Sequence, residues 1–175
     1  MDGGIKMNEM ISRVENERVL VLERIFDAPR DLVFNMFKEP EHLKHWWGPT
    51  GWELPVCHID FRTGGVWHFC MKCTDKNQGD FYGMESWGKV IYKDIIEPET
   101  IIYTDYFSDA EGNIDENMPS TEVTLEFIDL DGKTKLVNRA EYASAEALKN
   151  VMDMGMLQGI TETWNRLEEH LNENK

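Results

Sequence analysis

Leu148, Met152, Met156, Ile160, Trp164, Leu167 and Leu171 recur at intervals of four or three residues, the repeat that places side chains along one face of an α-helix. A helix of this kind is stabilised chiefly by docking its apolar face, so another element must offer it an apolar surface. Ser144 stands where an N-cap is expected, and Glu146 sits in the first turn, where a carboxylate meets the positive end of the helix dipole. Gly155 and Gly159 lie beside the stripe although each is about 1 kcal/mol less favourable than Ala inside a helix. Their presence predicts close approach of another backbone or room for a ligand.

The segments before this helix supply strands. Residues 18–26 (RVLVLERIF) are rich in β-branched and apolar side chains and read as a first strand. Asp27-Ala28-Pro29 then switches the chain into a helix carrying Leu32, Val33, Phe34, Met36 and Phe37. Pro40 ends it and starts a second helix over 41–46, which closes on Trp46-Trp47-Gly48-Pro49. Strands are expected over 52–61 and 66–73, separated by the turn Thr63-Gly64-Gly65. A longer strand region is expected over 78–96, with Gly83 and Gly88 marking a bulge or bend. Residues 100–107 follow, then an acidic loop over 108–120. Strands over 121–130 and 134–142 flank Asp131-Gly132, a strong hairpin signal. One strand, two short helices, a run of antiparallel strands and a long closing helix make an α+β domain.

The chain has 175 residues, which suggests one domain with a short extension. We expect a tail over 1–17, a domain over 18–172 and a C-terminal tail over 173–175. Within the first tail, Met7, Met10, Ile11 and Val14 are spaced for one amphipathic turn. With 18 basic and 33 acidic side chains the formal charge is −15, which repels phosphate backbones and anionic lipid surfaces; neither nucleic acid nor membrane is an expected partner. No run approaches the roughly 20 apolar residues that cross a bilayer, and the N-terminus lacks a signal-peptide core. Three cysteines, an odd number, argue against a disulfide framework. The expectation is a reduced, cytoplasmic protein. Its 6 Trp, 5 Tyr, 8 Phe and 10 Met are large, adaptable side chains suited to a core or to an apolar pocket wall.

Several motifs occur in a fixed order: Phe26-Asp27-Ala28-Pro29, Glu39-Pro40-Glu41-His42-Leu43, Trp46-Trp47-Gly48-Pro49 and Asp60-Phe61-Arg62-Thr63-Gly64-Gly65. They continue with Trp87-Gly88-Lys89-Val90, Glu97-Pro98-Glu99-Thr100 and Gly155-Met156-Leu157-Gln158-Gly159. Together they resemble the START-like (SRPBCC) superfamily, and within it the activator of heat-shock-protein-90 ATPase homologues (Aha-like), over about residues 18–172. Thr100 replaces the family's usual Arg, and Ile160 stands where Trp is more common. The resemblance implies a helix-grip fold, in which a curved antiparallel sheet wraps the C-terminal helix and leaves an apolar cavity between them.

Strand parity then selects candidate ligand residues. Trp67, Phe69, Met71, Leu125, Phe127, Leu136 and Asn138 are expected to point toward Met152, Met156, Ile160 and Trp164 on the helix. These side chains either fill a core or line a pocket of about 300 Å³ or more. Asn138 and Asp105 are the polar exceptions, able to orient a ligand or to serve an internal hydrogen bond or water. Trp46 and Trp47 could form a lid, or pin the short helices to the long one. Cys70-Met71-Lys72-Cys73, with Cys57, His58 and His68, has some of the residue types of a zinc site. A strand sends its CxxC cysteines to opposite faces, and no second CxxC completes the set, so no metal is expected. His42 and His45, one turn apart, are expected at the surface. No P-loop, dinucleotide fingerprint, GxSxG or HExxH is present, and no catalytic residue or cofactor is assigned. The expected function is binding of a small hydrophobic or aromatic molecule between sheet and helix. The alternatives are a protein-interaction module like the chaperone cofactors, and a cyclase- or dehydratase-type enzyme.

Overall fold

Period-two alternation and turn glycines divide the middle of the chain into strands, and the computed structural model, which describes residues 9–175, shows how they pair. The elements are β1 (Ile11–Glu15), β2 (Val19–Phe26), α1 (Arg30–Asn35), α2 (Pro40–Trp46), β3 (Trp52–Ile59) and β4 (Val66–Cys73). A 3-10 helix, Lys76–Phe81, precedes β5 (Glu85–Ile96), β6 (Thr100–Phe107), β7 (Thr121–Asp129) and β8 (Thr134–Glu141). Two helices, α3 (Ala145–Asp153) and α4 (Met156–Glu173), close the chain. The strands form one antiparallel sheet in the order β1-β2-β8-β7-β6-β5-β4-β3. This is the helix-grip α+β fold, with the curved sheet packed on the C-terminal helix.

The β7–β8 hairpin turns at Asp131 and Gly132, whose φ values of 57° and 94° are the left-handed pair that a tight two-residue turn requires. Along β7, Val123, Leu125 and Phe127 are buried while Glu122 and Glu126 face out. Register shifts interrupt β3 between Glu53 and Val56 and β5 between Tyr92 and Asp94, and such bulges bend a sheet. The core then closes over this face. Trp164, Leu167 and Leu171 of α4 are buried, and the Trp164 ring meets Phe26 edge to face at 6.1 Å. Each such large side chain contributes on the order of 2–3 kcal/mol through burial.

Three expectations need correction. Residues 11–15, assigned to the tail, form edge strand β1, which pairs with β2 from Ile11–Glu23 to Glu15–Val19. The strand was hidden because Ile11 and Val14 remain exposed. Arg13 pairs with Glu15 and Glu23, and Arg139 with Glu15, so ion pairs knit the outer surface. Met7, part of the expected amphipathic turn, lies outside the described residues. The strand expected over 78–96 starts only at Glu85. Asp75 accepts from the Asn77 backbone N–H, and Gly79 and Gly83 take positive φ, so a 3-10 turn and a reversal replace its first part. Gly88 is flat strand rather than a bend, with the Phe69 ring lying where a Cβ would stand, 2.5 Å away. Finally, the closing helix is two helices, because Gly155 adopts φ 87° and ends the first α-helical run.

Candidate functional site

Alternate side chains from four neighbouring strands build the floor of a cavity. Tyr103 and Asp105 of β6 lie two residues apart on one face. Two cross-strand rows continue that face. One runs Tyr103–Val123–Ala140–Leu20, the other Leu125–Asn138–Leu22, while Thr121 stands opposite Asp105. α4 crosses above with Met156, Gly159, Ile160, Thr163 and Trp164, and the turn after α2 supplies Trp47, Gly48 and Pro49. With Phe37, Met71 and Tyr142 these residues enclose about 390 Å³. A second cavity of about 270 Å³ shares Met71, Asp105, Thr121, Tyr142 and Met156 as wall, and extends past Phe69, Gly88, Phe107 and Val151. Gly159 contributes directly to the opening, since a Cβ there would meet nothing within 4 Å.

The walls are apolar apart from a few groups. Asp105 is half-buried and is part of the wall of both cavities; its carboxylate has no hydrogen-bond partner among the described residues. Loss of solvation pushes its pKa up to about 7. Burial also raises the Tyr103 and Tyr142 phenols, and the nearby Asp105 charge adds to both shifts. The Asn138 amide is likewise without a side-chain partner among the described residues. Trp47 Nε1 is buried and has no hydrogen-bond partner among the described residues, its ring meeting Trp67 and Phe69 in T-shaped contacts at 4.8 and 5.8 Å.

One residue of α4 holds this side of the cavity in place. Arg166 Nη1 donates to the carbonyls of Gly48, Pro49 and Trp52 at 2.7, 3.1 and 3.1 Å, and Nη2 donates to that of His45 at 3.3 Å. A planar guanidinium can gather several carbonyls at once, which an ammonium on a single stem cannot do as well. The turn carrying Trp47 is therefore tied to the helix that it faces.

Eight of the expected residues come together around the larger cavity: Trp47, Met71, Asp105, Leu125, Asn138, Met156, Ile160 and Trp164. Phe69 lines the second. The others do not reach either space. Trp46 is fully buried and donates Nε1–H to the Met36 carbonyl at 3.0 Å, pinning α2 to the end of α1. Trp67 packs behind Trp47 and donates to Cys57 Sγ at 3.3 Å. Phe127 is wedged between Phe34 and Phe37 beneath α1. Met152 belongs to α3, which the break at Gly155 separates from α4, and packs against the core.

His42 and His45 are also not simply solvated. His42 Nδ1 lies 2.9 Å from His170 Nε2, and His45 stacks on the His170 ring at 4.6 Å, forming a seam between α2 and α4. His68 packs against Trp87 and hydrogen-bonds the Asp109 carbonyl. Among the described residues no group of three His, Cys, Asp or Glu is arranged to hold a metal ion. Wall residues missed in the sequence include Leu20, Leu22, Tyr103, Thr121 and Tyr142. Parity alone would have added Tyr103, two residues before Asp105; nothing local marks Arg166.

A family model described as Activator of Hsp90 ATPase homolog 1-like protein matches residues 27–172. No curated protein matches the chain. Among solved structures, a protein from Arthrobacter aurescens is 22% identical with a TM-score of 0.81, the match covering 93% of this chain and 91% of that one. A protein from Mycobacterium smegmatis is 26% identical with a TM-score of 0.78, covering 91% and 94%. One from Staphylococcus epidermidis is 26% identical with a TM-score of 0.78, covering 93% and 94%. No helix among the described residues is long and apolar enough to cross a membrane.

Proposed function

Since the chain belongs to the family of Activator of Hsp90 ATPase homolog 1-like proteins, we propose that it binds a small apolar or aromatic molecule between the sheet and α4. The observation that carries this reading is the cavity of about 390 Å³, walled by Met, aromatic and aliphatic side chains, with Gly159 of α4 facing open space where a side chain would otherwise stand. A space of this size is within the range that accepts a small ligand, and burial of apolar area would supply most of the affinity. Binding is favoured over acid–base catalysis because the walls carry one carboxylate, Asp105, and no histidine among the described residues to act with it. A cytoplasmic setting belongs to the same reading, in keeping with three unpaired cysteines.

The test is a titration of isotope-labelled protein with phenylbutanol, followed by NMR. Shifts concentrated at Asn138, Met156, Gly159 and Ile160 are expected. Saturating ligand without shifts at these positions would remove the proposal.

A further inference from the structure

The cavity wall places a single acidic group among aromatic and thioether side chains. Asp105 is shared by both cavities, so its carboxylate lies where they meet rather than at a remote end. No lysine, arginine or histidine lines either space among the described residues, and the carboxylate has no hydrogen-bond partner there. A half-buried, unpaired carboxylate in an apolar wall loses part of its solvation, and the arrangement becomes more favourable when the ligand itself brings the missing positive charge. The neighbouring side chains suit a cation as well. Trp47, Tyr103 and Tyr142 line the larger cavity, and aromatic rings carry a negative quadrupole that attracts ammonium groups. Met71 and Met156 add polarisable sulfur on the wall common to both cavities. A ligand carboxylate, as in a fatty acid, would instead face Asp105 as a like charge. The formal charge of −15 acts in the same direction at long range, favouring approach of cations and disfavouring anions.

We propose that the ligand is an apolar molecule bearing a basic nitrogen, whose ammonium group pairs with the Asp105 carboxylate while its apolar body lies along α4. This inference rests on the reading that the cavity is a binding site and assigns its chemical class.

Pairing with an ammonium requires Asp105 to be ionised, and its desolvated carboxyl titrates near 7 in the absence of a partner. The groups that face it do not compete as charges. Tyr103 from its own strand and Tyr142 beyond β8 are phenols held above their ordinary range, Thr121 comes from β7, and Met156 comes from α4. Amine affinity is therefore expected to rise by up to about tenfold between about pH 6 and pH 8. A neutral ligand that accepts a hydrogen bond from protonated Asp105 would show the opposite trend.

Three probes of one shape separate the outcomes: phenylbutylamine, phenylbutanol and phenylbutyrate, titrated by NMR into wild-type protein and Asp105→Asn. The amine is expected to bind about tenfold or more tighter than the alcohol, and the acid weakest. Asp105→Asn is expected to abolish that preference, the amine falling to the level of the alcohol measured on the same variant. Equal binding of amine and alcohol in the wild type, or amine binding that weakens as pH rises from 6 to 8, overturns this proposal and leaves the cavity reading standing. Failure of all three probes overturns both. The pH series uses wild-type protein alone, so it decides the matter even if the variant does not fold.

Discussion

At the scale of single residues, two side chains carry the site in different ways. Asp105 has a folded pKa raised above that of an unfolded chain, from 3.8 to about 7. The folded state therefore binds the proton more tightly, and its stability is full below the unfolded value and falls as pH rises through about 7. Asp105→Asn keeps the shape and removes the charge. It is expected to increase stability by about 1–2 kcal/mol at pH 8 and to change it little at pH 4, read by urea unfolding at the two pH values. An unchanged difference between variant and wild type at both would contradict the desolvated carboxylate. Arg166 acts by geometry instead, since its guanidinium serves four backbone carbonyls between His45 and Trp52. Arg166→Met retains much of the apolar stem and removes the donors. A loss of about 2–3 kcal/mol is expected, with a red shift in tryptophan emission as Trp47 loosens. Arg166→Lys should recover only part of that stability, and full recovery would show that charge alone matters.

At the scale of elements, α3 and α4 show what a periodic sequence reveals and what it hides. The stripe from Leu148 to Leu171 correctly identifies a face, but both sides of Gly155 share the period, so a break does not disturb it. Gly155 and Gly159 look alike in sequence and differ in backbone. Gly155 has φ 87°, where a side chain is strained, whereas Gly159 lies inside α4 with open space around its missing Cβ. Gly155→Ala is therefore expected to cost about 1 kcal/mol or more, and Gly159→Ala to gain up to about 1 kcal/mol, both read from thermal melts. The same sign for both would mean that the break is not set by Gly155. The seam between α2 and α4 makes a separate prediction. His170 is 8% exposed, and its pKa is lowered first by desolvation and then by the charges of His45 and His42. The unfolded chain takes up this proton more readily, so the contribution of His170 is present above about pH 6.5 and is lost as pH falls from there through the depressed folded value. His170→Gln should flatten this loss between about pH 7.5 and 5.5, relative to wild type in the same buffers. An identical pH dependence would assign the acid sensitivity elsewhere.

At the scale of the whole molecule, the order of elements and the buried face were legible because alternation, turn glycines and the helical stripe are local signals. The distance between sheet and helix was not, because it is set by contacts far apart in sequence. Arg166 reaches back to the turn after α2, and Thr134 Oγ1 donates to the Ala28 carbonyl at 2.7 Å. Adjacent residues consequently separate, Trp46 into the core and Trp47 onto the cavity wall. Local alternation likewise could not decide whether Phe127 and Leu125 share a role. Leu125 lines the cavity, while Phe127, two residues further along the same face, is covered by α1. The cavity is thus a consequence of how far α4 stands from the sheet, and filling it should leave the fold intact. Gly159→Leu tests this directly. The new Cβ would meet open space and the rest of the side chain would extend from the cavity wall, and Leu replaces the poorest helix former except Pro with one of the best. Thermal stability is expected to stay level or rise, by up to about 1 kcal/mol at the melting temperature, while phenylbutanol affinity falls by tenfold or more. Loss of stability together with loss of binding would mean that the helix had been pushed from its seat. Retained stability with undiminished binding would place the ligand outside the space between α4 and the sheet.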